Sequence, residues 1–192
     1  MNKVEAIGAR RSIRRFTDAP VSEEEIRALL EAATLAPSGM NRQPWRFVVV
    51  QGEKRAQMVD LMRAAIAKLK SEGVKTGSIR RTAETMAKAP ATIFIFDDVE
   101  MREDMIGSFP DLLGHMVDIQ SIGAAIQNML LAATDRGLGT LWIGHVFHAY
   151  EELCACLGES RLMVAAVAVG YPDEAPGPRP RKSVDEVTRW VG

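Results

Sequence analysis

The sequence predicts an α/β or α+β fold in which helices pack against a β-sheet. Two observations support this prediction: short apolar runs typical of strands are distributed among segments with helical spacing, and no internal repeat divides the chain. A length of 192 residues, of which 47% are hydrophobic and 26% charged, suits one core of ordinary size. We therefore expect one domain over residues 1–192.

The first clearly predicted helix begins at Ser22. Ser22 and Glu25 have the spacing of a capping box, and Val21 and Ile26 have that of a hydrophobic staple. Apolar side chains then recur at helical spacing until Pro37 ends the helix. Two independent devices therefore define the same helix start.

Apolar periodicity and the glycine and proline breaks predict the remaining elements. The first strand, 46–50, is apolar enough to be buried on both faces. Further strands are predicted at 91–96, 139–144 and 162–170, further helices at 53–69, 79–88, 111–136 and 150–157, and an extended tail at 171–182. Residues 97–110 lack a period and are long for a connection, so they are a candidate lid or specificity loop. The helix at 111–136 is apolar over a wide surface, as in a central core helix or a subunit interface.

Charge and composition exclude several classes of protein. A formal net charge of -1 does not fit a nucleic-acid-binding protein. The sequence has no apolar run long enough for a membrane span and no apolar stretch of a secretory signal near its start. Cys154 and Cys156 would leave a helix on different faces, so neither a disulfide nor a metal site is expected. We expect a cytoplasmic protein.

Arginines are concentrated near both ends of the chain. In ARRSIRRF, Arg10 and Arg14 would share a face of a helix or tight turn, with Arg11 between them and Ser12 adding a hydroxyl donor. Guanidinium groups bind phosphate oxygens in charge-assisted pairs. A solvated basic surface remains the alternative, both here and for the RPRKS segment that contains Arg181.

The stretch PSGMNRQPW carries more polar side chains than a turn requires. Pro37 ends a helix, Gly39 permits an unusual backbone conformation, and the proline after Gln43 keeps that residue extended. The amides of Asn41 and Gln43 can donate and accept together, which suits a planar ligand edge such as that of a flavin or purine. Trp45 is more typical of a core residue than of a stacking platform. In GLGTLWIGH, the backbone at the end of a strand could likewise contact a ligand.

Three segments, in matching order and spacing, carry a family resemblance. They are ARRSIRRFTDAPVSEEEIRALLEAATLAPSGMNRQPWRFVVV, DIQSIGAAIQNMLLAATDRGLGTLWIG and VGYPDEAPGPRPRKSVDEV. Together they resemble the nitroreductase family of FMN-dependent oxidoreductases over nearly the whole chain. The resemblance implies an α+β homodimer with a central mixed β-sheet flanked by helices. It also implies a long central helix at the dimer interface and two FMN molecules contacted by both chains.

The resemblance also assigns site residues to three groups. The first holds the phosphate and ribityl chain, the second is a loop from the partner subunit, and the third is the strand end beside the isoalloxazine ring. The matching residues are Arg10, Arg11, Ser12, Arg14 and Arg181; Pro37, Ser38, Gly39, Asn41 and Gln43; and Trp142, Ile143 and Gly144. Arg42, Leu141 and His145 depart from the common pattern, and His145 either faces substrate or is simply structural.

The family chemistry implies that NADH or NADPH gives hydride to FMN and that an electron acceptor, such as a nitroaromatic or a quinone, then receives the reducing equivalents. The sequence has no G-x-G-x-x-G fingerprint after a strand, so the nicotinamide would stack on the flavin and need no Rossmann site. No catalytic side chain and no metal are required, because the cofactor performs the redox step. Two alternatives remain: a specialised family branch for dehydrogenation, dehalogenation or flavin breakdown, and a non-catalytic FMN-binding protein.

Overall fold

The computed structural model of the protein describes residues 3–100 and 109–192. Its helices are α1 (Lys3–Ala9), α2 (Glu23–Thr34), α3 (Gly52–Ser71), α4 (Gly77–Lys88), α5 (Phe109–Asp135), α6 (Tyr150–Leu157) and α7 (Val184–Val187). Its strands are β1 (Trp45–Gln51), β2 (Ala91–Glu100), β3 (Gly139–Ile143) and β4 (Arg161–Gly170). The predicted α+β class and the long helix are confirmed. Residues 101–108, most of the predicted lid, lie outside the described part of the chain.

The four strands form one sheet in the order β1-β2-β4-β3. All three neighbouring pairs are antiparallel, so the expected mixed sheet is wrong for these strands. Two helices, α3 and α4, connect β1 to β2. The chain runs along one helix and back along the other, so β2 runs antiparallel to β1. A parallel pairing does occur outside the named strands, at an isolated bridge between Ser12 and Thr140.

Helices cover both faces of the sheet. The alternation of β2 sends Phe94 and Phe96 into a core with α3, α4 and α6, while Ile93 and Ile95 enter a second core with α2 and α5. Trp45 belongs to the second core and is 5% exposed, as expected of a structural anchor. The sheet is therefore a buried middle layer whose two ends and edges remain available for a site.

The strand β1 corrects one prediction about burial. It lies at the edge of the sheet, and its residues alternate between buried, half-buried and exposed positions. The expectation of burial on both faces was wrong because an apolar run does not reveal which strand will lie at an edge.

No helix in the described ranges combines the length and apolar character that a bilayer span requires.

The start of α2 confirms the predicted N-cap in part. The Ser22 hydroxyl accepts a hydrogen bond from the backbone N–H of Glu25 at 3.1 Å. The Glu25 carboxylate forms an ion pair with Arg136, just after α5, instead of serving only its own helix end. Val21 and Ile26, the predicted staple residues, are both buried in the core beneath α2. The helix start is thereby fixed locally and also attached to α5.

Candidate functional site

The arginine-rich segment after α1 is extended, which corrects the prediction that Arg10 and Arg14 share a helix face. Helix α1 ends at Ala9, and the backbone N–H of Ile13 then donates to the carbonyl of Thr140 at 2.9 Å. The segment therefore runs beside β3 as an irregular extra strand. This pairing satisfies the backbone N–H of Ile13 and the carbonyl of Thr140 at the edge of the sheet.

The two ends of the chain meet at this segment. A cleft of about 440 Å³ is lined on one side by residues 7–14 and on the other by residues 176–181. It brings together Arg10, Arg11, Ser12, Arg14 and Arg181, the five residues predicted to bind a phosphate, and adds Arg179. They come from positions more than 160 residues apart, so their convergence is a property of the fold.

The guanidinium charges in this cleft are not paired with carboxylates of the described residues, although the Glu174 carboxylate accepts from the backbone N–H of Arg14. Arg11 and Arg14 donate to backbone carbonyls of their own segment, and Arg181 donates to the carbonyls of Arg179 and Pro180. Among the described residues, no carboxylate forms an ion pair with these three guanidinium groups. Arg15 differs, because its guanidinium lies 3.4 Å from the carboxylate of Glu174. The cleft thus retains a net positive charge that suits a phosphate dianion.

A second cleft, of about 300 Å³, begins where the first one ends. Arg14 lines both clefts. The second cleft is also lined by the end of β3, from Leu141 to Ile143, and by Gly144 after it. Trp142 is 43% exposed, and its ring points toward α5, where it would lie 3.9 Å from a Cβ at Gly123, whereas the side chain of Ile143 is buried in the core. Ile143 can therefore offer its backbone to a ligand, and Gly144 presents a backbone without a side chain.

The opposite wall of this second cleft comes from α4, which the sequence did not predict as part of the site. Four polar residues of α4 line it: Ser78, Arg81, Thr82 and Thr85. Their spacing places them on one helix face. A polar stripe at this spacing, on a helix that also carries buried Ile79 and Met86, was the available signal.

The loop from Pro37 to Gln43 packs against α5. The Gly39 backbone N–H lies 3.4 Å from the hydroxyl oxygen of Ser121, and a Cβ at Gly39 would lie 2.5 Å from a methyl carbon of Val117. The loop is folded on itself, because the Ser38 hydroxyl accepts from the backbone N–H of Gln43 at 3.0 Å. Close packing on α5 therefore explains the glycine.

Three residues of this loop have left-handed backbone conformations: Met40, Asn41 and Gln43 have φ values of 49°, 55° and 50°. The prediction of an extended Gln43 is therefore wrong, and the unusual conformation expected of Gly39 lies in its neighbours instead. Such conformations cost energy and are concentrated at functional sites. Asn41 and Gln43 are both exposed, so their amides are available to a ligand. A connecting turn would require neither these backbone conformations nor these exposed amides.

Within one chain, the loop and the two clefts lie at opposite edges of the sheet. The loop leads directly into β1, whereas the clefts flank β3, and the sheet order places these strands at its two ends. The structure therefore brings together the first and third groups of predicted residues through Arg14. It does not bring Asn41 or Gln43 to either of these clefts.

Two buried carboxylates lie beneath the loop. Arg42 forms an ion pair with Asp118 of α5 at 3.3 Å, which gives this departure from the common motif a structural role. Asp97 on β2 is 0% exposed, and both its carboxylate oxygens lack a hydrogen-bond partner. Burial and the negative charge of Asp118 raise the pKa of Asp97 from 3.8 to about 6, while His115, the backbone N–H of Asp98 and Arg42 act in the opposite direction.

His145 faces the second cleft and contacts α4. Its Nδ1 lies 2.8 Å from the hydroxyl oxygen of Thr82. Burial lowers the pKa of His145, and the nearby ring of His148 lowers it further. The imidazole is therefore neutral, and its contact with Thr82 fixes it in the wall of the second cleft.

Comparison with known proteins identifies the family. The family model described as "Nitroreductase family" matches residues 7–171, which include both the arginine segment and all four strands. The chain belongs to the nitroreductase family. It is 31% identical over 175 residues to a provisionally named NADH dehydrogenase/NAD(P)H nitroreductase of Archaeoglobus fulgidus, covering 88% of this chain and 84% of that protein. It is also 31% identical over 172 residues to the 5,6-dimethylbenzimidazole synthase of Rhodospirillum rubrum, covering 86% and 79%.

Solved structures of this nitroreductase family share the fold. The FMN- and NADPH-dependent nitroreductase NfnB from Sphigopyxis sp. strain HMH has a TM-score of 0.78 and 25% identity, with 100% of each chain covered. A nitroreductase-like family protein from Bacillus cereus has a TM-score of 0.77 and 27% identity, covering 100% of this chain and 96% of that one.

Proposed function

We propose that the protein is an FMN-dependent oxidoreductase that passes hydride from NADH or NADPH, through bound flavin, to a small electron-poor acceptor such as a nitroaromatic or a quinone. One observation carries this proposal: the arginines of both chain ends meet in a cleft that shares Arg14 with a second cleft at the end of β3. A phosphate site beside a site for a flat ring is the arrangement that FMN requires.

The residues present fit FMN at both ends of the molecule. Arg10, Arg11, Ser12, Arg14 and Arg181 offer guanidinium and hydroxyl donors that form no ion pair with a carboxylate of the described residues, which suits the phosphate. One wall of the second cleft is the end of β3 from Leu141 to Ile143, which presents its backbone over the buried apolar core, and the other is a polar wall from α4 and His145. Such a cleft matches the isoalloxazine ring, which is apolar at its dimethylbenzene edge and polar at its pyrimidine edge.

The division of labour follows from these contacts. FMN supplies the redox chemistry, accepting a hydride and releasing one or two electrons. The arginines of the first cleft bind and orient the phosphate. The end of β3 offers backbone groups to the ring, and the guanidinium of Arg81 adds positive charge to the second cleft. No side chain is needed as an acid or a base for hydride transfer itself.

The complete site is proposed to need a homodimer. The face of α5 beside the loop exposes apolar side chains, including Met116, which is 48% exposed, and Leu113, Val117 and Ile119. An exposed apolar patch of this kind marks an interaction surface. Pairing of two α5 helices would cover it and would bring Pro37, Ser38, Gly39, Asn41 and Gln43 of one chain toward the clefts of the other. The cytoplasmic location stays a prediction.

A second candidate function is favoured by one relative. The Rhodospirillum rubrum protein at 31% identity is named 5,6-dimethylbenzimidazole synthase, so a specialised branch of the family is as similar to this chain as the reductases are. A dedicated enzyme for dehydrogenation, dehalogenation or flavin breakdown would use the same cleft with a different substrate. A non-catalytic FMN-binding protein is the remaining alternative.

The test is anaerobic reduction of the purified protein. We expect a yellow protein whose flavin absorbance is bleached by NADH or NADPH and recovers when a quinone or a nitroaromatic is added. A colourless protein that takes up no FMN would refute all three functions. A yellow protein that neither nicotinamide reduces would contradict the reductase and leave the binding protein or a different electron donor. Reduction without recovery on an acceptor panel would favour the specialised branch.

A further inference from the structure

Thr82 and His145 form a polar pair in the second cleft, which is proposed to hold the flavin ring. The sequence did not assign either residue to the cofactor. The Thr82 hydroxyl oxygen lies 2.8 Å from Nδ1 of His145, and both residues line the cleft with Trp142 and Gly144. Thr82 comes from α4, and His145 follows β3 directly. The pair therefore links the two walls of the cleft.

The Thr82 hydroxyl has two partners that bear on where the proton of His145 lies. The same hydroxyl also donates to the backbone carbonyl of Ser78 at 3.2 Å, and a carbonyl can only accept. A hydroxyl has one hydrogen, and we assign it to the Ser78 carbonyl, so that Thr82 accepts from His145. His145 then carries its proton on Nδ1, and its Nε2 is a free acceptor when the ring is neutral.

The surroundings keep the imidazole neutral. Burial and the ring of His148, whose centroid is 5.9 Å away, both lower the pKa of His145. The other charged groups that line this cleft are Arg14 and Arg81. Near neutral pH, His145 is thus an acceptor in a cleft wall whose other charged groups are donors.

A flavin ring presents the complementary pattern. Its pyrimidine edge has two carbonyl oxygens that accept hydrogen bonds and, between them, one N3–H group that donates. The guanidinium of Arg81 can donate to a carbonyl, whereas the Thr85 hydroxyl already donates to the backbone carbonyl of Arg81 at 2.9 Å. Neither arginine in this cleft can accept a hydrogen bond. The N3–H group needs an acceptor, and Nε2 of His145 is available in the polar wall.

We propose that His145, oriented by Thr82, accepts the hydrogen bond of the flavin N3–H group and makes this cleft selective for flavins with an unsubstituted N3. His145 is then a specificity-determining residue, and Thr82 is a positioning residue that fixes its tautomer. This inference rests on the proposed FMN-binding function. It requires no contribution from a nicotinamide or an acceptor, so it can be tested by binding alone.

The experiment compares the dissociation constants of FMN and 3-methyl-FMN, measured by flavin fluorescence with flavin-free protein. We expect the unsubstituted protein to prefer FMN, because a methyl group at N3 removes the donor and crowds His145. His145→Ala should weaken FMN binding by about threefold to tenfold while affecting 3-methyl-FMN less, so the preference shrinks. Thr82→Val should shrink it in the same way, and Thr82→Ser, which keeps the hydroxyl, should preserve it.

The ratio of the two constants separates recognition from folding. A purely structural role would weaken both flavins equally, and an unchanged ratio in folded His145→Ala and Thr82→Val proteins would overturn the inference. Loss of the preference in Thr82→Ser would also contradict it. Failure of the unsubstituted protein to bind FMN at all would instead refute the proposed function. If His145→Ala does not fold, the ratio in Thr82→Val decides alone.

Discussion

Replacing Asp97 with asparagine should stabilise the protein at alkaline pH and much less at acid pH. The carboxylate is fully buried on β2, both its oxygens lack hydrogen-bond partners, and Asp118 lies close enough to repel it. Burial and this repulsion raise the pKa of Asp97 from 3.8 to about 6, so the folded state binds its proton more tightly than the unfolded state does. The unfolding free energy therefore falls as the pH rises from about 4 to about 6.

The size of the effect follows from the two pKa values. A difference of one pKa unit corresponds to about 1.4 kcal/mol, so the rise from 3.8 to about 6 sets an upper limit of about 3 kcal/mol on the penalty above pH 6. Asparagine removes the charge but keeps the size of the side chain. About 1 kcal/mol of this limit is already present at pH 4.5, so we expect Asp97→Asn to raise the unfolding free energy by about 1–2 kcal/mol at pH 8 relative to its effect at pH 4.5.

Urea unfolding at both pH values, at one fixed protein concentration, measures this difference. Asp98→Asn is the matched control, because Asp98 is the next residue but forms ion pairs with Arg46 and Arg161 at the surface. Its replacement should give no gain at pH 8. The reasoning is refuted if Asp97→Asn changes the unfolding free energy equally at the two pH values.

Three further substitutions test the site and the assembly. Arg181→Ala should weaken FMN binding by about 1.5–3 kcal/mol through loss of a charge-assisted phosphate contact, whereas Arg189→Ala, outside the cleft, should not; equal titration curves would place the tail elsewhere. Arg42→Ala leaves a buried carboxylate of α5 unpaired, so we expect a loss of about 1–3 kcal/mol in urea unfolding together with weaker FMN binding. Met116→Lys should give a monomer with poor FMN retention in size-exclusion chromatography with light scattering, whereas Val74→Lys, at an equally exposed apolar position away from α5, should stay dimeric.

Elements with a strong local signal were predictable from the sequence. Helix α6 lies at Tyr150–Leu157, as its apolar spacing and the glycine that follows it indicate, and the N-cap of α2 is Ser22. Ends were less predictable: β2 continues to Glu100 and α5 already begins at Phe109. Charged residues after the apolar part of β2 hid its continuation, because hydrophobic periodicity marks only the buried part of a strand.

The candidate site was predictable where it depends on a motif and not where it depends on packing. The arginines at both chain ends were singled out from their chemistry, but the extended backbone at Ser12 requires the edge of β3 as a partner, which lies far away in the sequence. The stripe on α4 was missed for a related reason. Thr82 and Thr85 are ordinary helix residues by composition, and only the fold places them opposite Trp142.

The sheet order gives the strongest argument for two chains in one site. The loop that carries Asn41 and Gln43 enters β1, and the first cleft, which contains the arginines, flanks β3. The four-stranded sheet therefore separates the loop from that cleft. Three strand spacings amount to about 14 Å through a packed core, which no side chain of the loop can cross. The same loop packs on α5 beside that helix's exposed apolar face. If both groups of residues bind one flavin, the loop must come from a second copy of the chain, and covering α5 would both form the dimer and complete the cofactor site.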